Sequence, residues 1–148
     1  MYRDILQKIE VKMKKFGYEP SKPSTNPDIE NLKKRIQSEL QLSLPIDYEN
    51  FLMDKNGLTW NGAMFYSSID MPKDWNKWYK TWGLVDANLL LERNLFKERL
   101  VLGESGIDFY VYDFSLSLYL ILDRPSLRVM EKFESFDEFI TNILNILL

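Results

Sequence analysis

The sequence contains neither cysteine nor histidine. The first absence excludes a disulfide framework, a thiolate nucleophile, an iron–sulfur cluster and every Cys-based zinc site. The second removes the commonest general acid/base and the commonest transition-metal ligand. Long apolar runs are also missing. Charges interrupt Met1 to Phe16, leaving no secretory core, and the most apolar stretch, Phe139 to Leu148, is short and broken by Asn142 and Asn145. A cytoplasmic protein without a membrane anchor is therefore expected. Neither charge sign dominates: 22 acidic side chains face 19 basic ones, and the formal net charge of −3 argues against a general nucleic-acid binder. No G-x-x-x-x-G-K-[ST] or G-x-G-x-x-G phosphate cradle occurs, and no cofactor is expected. These gaps point away from an enzyme.

What remains is the balance of a globular chain, with 148 residues and 45% hydrophobic content. That length suits one domain burying roughly 70% of the surface its unfolded form exposes. Tyr2, Ile5, Leu6, Ile9, Met13 and Phe16 recur at helical spacing, with Lys12, Lys14 and Lys15 at the end, where cations suit the helix dipole. These lysines read as a solvated helix end, with a phosphate-binding patch as the functional alternative. Gly17 to Pro27, with three prolines, reads as a loop. A second helix should begin near Thr25 or Asn26, with Pro27 in its first turn and Ile29, Leu32, Ile36 and Leu40 as its buried stripe. A third is expected over Pro45 to Lys55, closed by Asn56-Gly57.

Beyond this point the period changes. Leu58 to Trp60 and Ala63 to Ser67 flank Asn61-Gly62, a strong hairpin signal. Leu100 to Gly103, Ile107 to Tyr112, Leu118 to Leu122 and Leu127 to Phe133 read as four further strands, too closely spaced for parallel crossovers. Ser135 to Glu138 forms a capping box before a closing apolar helix. Helices, then an antiparallel meander, then a helix laid on the sheet make an α+β fold.

The stretch LPIDYENFLMDKNGLTWNG, Leu44 to Gly62, resembles the signature block of the SUKH superfamily (Smi/Knr-type domains), through Leu44, Pro45, Tyr48, Phe51, Leu52, Asn56 and Gly57. Leu100 to Asp113, with Gly103 and Gly106, and Leu120 to Ile140 resemble its later blocks, and the opening helix and NGLTWNG run are most like the YrhA-like branch. The resemblance implies a single α+β domain that binds proteins. Bacterial relatives of this kind are often immunity proteins that neutralise polymorphic toxins, many of them nucleases; eukaryotic ones look like regulatory scaffolds. The motif residues also have a structural reading: Pro45 starts a helix, Gly57 ends one, and Tyr48, Phe51 and Leu52 fill a core.

Two constellations are candidates for recognition. Residues 100–123 hold Glu104, Asp108, Asp113 and Asp123 and no base, whereas residues 1–40 hold nine basic and six acidic side chains. If Glu104, Asp108 and Asp113 gather at one sheet edge, they would steer a basic toxin domain. Solvated turns explain the same acids more simply. Gly103 to Gly106 mimics a nucleophile elbow, but position 107 is Ile107 and no histidine exists, so the run is expected to be a turn. The second constellation is Trp75, Trp78, Tyr79 and Trp82, spaced as one face of a short helix begun near Asp70 or Met71. It is either a core stripe or an exposed anchor for a partner. The resulting expectation is a non-enzymatic binding module whose oligomeric state the sequence leaves open, monomer being the default, with a regulatory scaffold, a carboxylate-dependent hydrolase or a sugar-binding module as alternatives.

Overall fold

The computed structural model describes residues 1–75 and 80–148. It is built on one six-stranded sheet in the order β1-β2-β3-β4-β5-β6, with every neighbouring pair antiparallel. The strands are β1 (Leu58–Trp60), β2 (Ala63–Phe65), β3 (Arg99–Ser105), β4 (Asp108–Asp113), β5 (Leu118–Asp123) and β6 (Val129–Phe133). Among the described residues five α-helices surround it: α1 (Tyr2–Lys15), α2 (Asn26–Arg35), α3 (Ile46–Asp54), α4 (Leu84–Leu89) and α5 (Phe136–Leu147). The α+β meander with a closing helix on the sheet is thus the observed architecture.

Local chemistry explains most of these boundaries. Thr25 Oγ1 accepts from the Asp28 amide at 3.2 Å and Ser135 Oγ accepts from the Glu138 amide at 3.1 Å, capping α2 and α5. Asn61 and Gly62 both take positive φ, 53° and 86°, the pairing a two-residue hairpin turn requires. The helix α2 passes into a π-helical turn, Ile36–Leu40, and stops at Gln41 in the left-handed region. Ile29, Leu32, Ile36 and Leu40 are all buried.

Helices cover both sheet faces. On one, Tyr110, Tyr119 and Phe133 lie under Phe139 of α5, and α1 packs behind α5. On the other, α4 sits against β3, and Phe96 meets Phe109 edge-on at 5.5 Å. The motif tyrosine joins elements across the core. Tyr48 Oη donates to the Tyr66 carbonyl at 2.5 Å and lies 3.1 Å from that of Leu102. Phe51 and Leu52 are fully buried beside it. Pro45 immediately precedes α3, Gly57 has φ +85°, and Asn56 Oδ1 accepts from the Ser68 amide at 2.8 Å.

Three local expectations need correction. Gly103 is not a turn residue: β3 runs through it to Ser105, and the reversal falls at Gly106-Ile107. A bulge lies between Val101 and Gly103, and β2 comes so close there that a Cβ would collide with the Met64 carbonyl. The helix expected from Asp70 or Met71 to Trp82 does not appear among its described residues, which are turn or irregular. Ser67 bridges to Gly83, and the Met71 amide donates to Asp86 at 3.0 Å, so the segment's two ends are held together. A helix of that length would hold them about 18 Å apart. Lastly, α4 and the 3₁₀ turn Arg93–Phe96 fill a stretch for which the sequence suggested no element.

Candidate functional site

The C-terminal end of α1 and the β1–β2 hairpin form the walls of a cleft of about 980 Å³. Helix α1 delivers Lys12 and Lys15, and the chain leaving it delivers Phe16 and Tyr18. Strand β1 supplies Trp60, and Lys80 closes the rim. Phe16 is 67% exposed and Tyr18 50% exposed, high values for large apolar rings. Both contact Trp60, at ring-centroid distances of 6.3 and 5.9 Å, and Lys80 Nζ lies 5.3 Å over the Tyr18 ring. Lys12 donates to the Leu148 carbonyl. The Thr59 hydroxyl bonds to the Lys80 carbonyl at 2.5 Å, fixing the rim to β1.

The hairpin tip divides this cleft from a second depression of about 310 Å³ between the β3–β4 turn and the end of α5. Asn61 lines both, and its side-chain amide donates to the Leu147 carbonyl at 3.0 Å, tying the tip to α5. Ile107 and Ile146 line the second depression and stand 71% and 78% exposed. Four large apolar side chains thus crowd one end of the molecule. No Asp or Glu lines the first cleft among the described residues; Asp108 lines the second.

The acids singled out from the sequence do not gather at one edge. Asp108 and Asp113 stand at opposite ends of β4, five residues apart and so on opposite faces. Asp113 is buried, pairs with Arg99 at 2.8 Å, and accepts from the Ser115 hydroxyl and amide. Burial pushes its carboxyl up, but hydrogen bonds from Ser115, Arg99 and the Leu116 amide outweigh this and hold it below its ordinary value. Glu104 accepts from the Tyr66 hydroxyl and from Arg124, each at 2.5 Å. Both arginines lie just outside the base-free stretch in sequence, yet antiparallel pairing brings them in. Only Asp108 keeps an acidic neighbourhood, opposite Asp123 and near Glu131; partial burial, then these two charges, raise its carboxyl above its ordinary value. Among the described residues no group of acids is arranged to hold a metal ion.

The tryptophan stripe is split as well. Trp75 is half-buried and meets Trp82 edge-on at 5.2 Å; Trp82 in turn lies parallel to the buried Tyr66 ring at 6.5 Å. These two rings anchor a loop to the core. Trp78 and Tyr79 lie outside the described residues. Sequence reasoning passed over Trp60 and Tyr18 and counted Phe16 as an inward residue. The available signal was Trp60 beside the Asn61-Gly62 turn, together with an aromatic pair directly after a lysine-rich helix end.

No protein-family model matches the chain. A search of curated proteins returns no match either.

Proposed function

We propose that this chain is a non-enzymatic protein-binding module, acting in the cytoplasm as an immunity protein that masks a toxin domain, in the manner of the SUKH proteins its motifs resemble. The observation that carries the reading is the hairpin tip. Phe16, Tyr18, Ile107 and Ile146 expose large apolar groups around two open depressions on one end of a rigid, sheet-based body. Exposed apolar groups rimmed by polar residues are what a protein-docking surface needs, and aromatic anchors supply most of the binding energy in such interfaces. A sheet closed by helices on both faces keeps those anchors pre-organised, which lowers the entropic cost of association. Among the described residues, no helix is long and apolar enough to cross a membrane.

The test is co-expression with each neighbouring toxin reading frame, scored by growth and by recovery of the complex. The reading expects rescue by the intact chain and its loss in a Phe16→Ser, Tyr18→Ser variant whose far-UV spectrum is unchanged. Turnover of a small molecule by the purified chain, or failure of rescue beside every neighbouring toxin, would contradict it.

A further inference from the structure

From the chemistry of the two depressions we infer that the partner presents a polypeptide segment of mixed character, acidic where it enters the Lys12–Lys15–Lys80 cleft and aliphatic where it crosses the hairpin tip. The inference rests on the preceding reading that this end of the molecule docks a protein, and it reverses the polarity expected from composition. A basic toxin surface would have been met by Glu104 and Asp113, but both are already occupied by arginine. The cationic positions around the exposed aromatics are Lys15 and Lys80, together with Lys12, which already donates to the Leu148 carbonyl; all three are exposed at the cleft rim.

The cleft's parts match one class of occupant. Phe16, Tyr18 and Trp60 present ring faces and edges to an apolar or aromatic side chain, while the ammonium groups stand where a carboxylate beside that side chain would lie. Past Asn61 the surface changes from cationic to aliphatic, with Ile107 and Ile146 flanking the second groove. Nucleic acid fits the first half, since stacking rings and lysines are its usual partners. It does not fit the second. A phosphate backbone continuing across the tip would meet Asp108, with Asp123 paired opposite and Glu131 on the next strand. Aliphatic side chains have no counterpart in its bases' polar edges. A polypeptide supplies both halves, and a basic residue following its aliphatic part would find Asp108.

A fluorescence-anisotropy titration tests this directly. The probes are a fluorescein-labelled peptide with a glutamate- and phenylalanine-containing half joined to a leucine-containing half, the same peptide with lysine for every glutamate, and labelled oligothymidylate of matched length. The acidic peptide is expected to bind more tightly than either of the others by about tenfold or more at low salt, and to weaken as salt rises. Lys15→Gln with Lys80→Gln should weaken it about three- to tenfold, the scale of two exposed charge pairs. Ile107→Ser, at an exposed position outside the core, should weaken it without altering the salt response. Equal binding of the acidic and lysine peptides, tighter binding of oligothymidylate, or no effect of the double lysine variant would overturn the inference. Toxin rescue that survives the lysine variant would sink this polarity while sparing the protein-binding reading. Specific peptide binding without any toxin rescue would do the reverse.

Discussion

At the scale of single residues, the core holds two polar groups whose removal has a defined cost. Tyr48 Oη is buried against the Tyr66 carbonyl. Tyr48→Phe should lower unfolding free energy by about 1–3 kcal/mol, read from urea denaturation, because a buried carbonyl loses its donor. Lys55, only 2% exposed, is paired with Glu10 at 2.8 Å and donates to the Ser21 carbonyl. Replacing Glu10 with Gln leaves that ammonium without its counter-ion, and a loss of about 1–3 kcal/mol is expected from the same measurement. Asp108 behaves oppositely. Its folded-state pKa is raised, so its charge opposes folding above that pKa, and the penalty disappears as pH falls through it. Asp108→Asn should therefore stabilise the protein at neutral pH by about 0.2–1 kcal/mol, the range of a cross-strand like-charge pair. The gain should vanish in acid. A constant difference across a pH series of denaturation curves would contradict this. For Asp113 the sign is reversed: its lowered pKa contributes stability at neutral pH that is lost as pH falls through the folded value.

At the scale of elements, the meander was readable because its turns are short and chemically marked. Asn61-Gly62, Asp113 to Ser117 and Arg124-Pro125-Ser126 leave no room for crossovers, so antiparallel pairing of β1 with β2, β4 with β5 and β5 with β6 follows, whereas the long 66–98 connection left the β2–β3 pairing open. Capping pairs likewise placed α2 and α5 within a residue or two. The stretch from 84 to 96 was not readable. Helix α4 has only six residues, and its tether is Asn88, a fully buried side chain bonded to Val101 N and O at 3.0 and 2.8 Å. A lone asparagine in sequence gives no hint of that role. The candidate cleft was half legible. Lys12 and Lys15 were noted at a helix end, but Phe16 fell on the periodic apolar stripe although α1 stops at Lys15 and turns Phe16 outward. Periodicity describes a helix that continues; it cannot report the residue at which the chain departs. The opposite error arose at Trp75 to Trp82, where helical spacing was present but the described residues are held in a loop closed at Ser67–Gly83.

At the scale of the whole molecule, charge in sequence and charge in space differ. The base-free stretch 100–123 suggested a negative face, yet folding brings Arg99 and Arg124 onto two of its acids and leaves the exposed anchors beside lysines. Under the proposed function the hairpin tip is the working end, projecting from a body whose other surfaces have no comparable cluster of exposed rings among the described residues. Hydrogen–deuterium exchange on a complex with a toxin domain, the partner proposed above, tests that claim most directly. Protection is predicted over residues 12–18, 59–62, 105–108 and 143–148, with α4 and β6 exchanging as in the free protein. Protection confined to α4 or β6, with the hairpin tip unchanged, would contradict it.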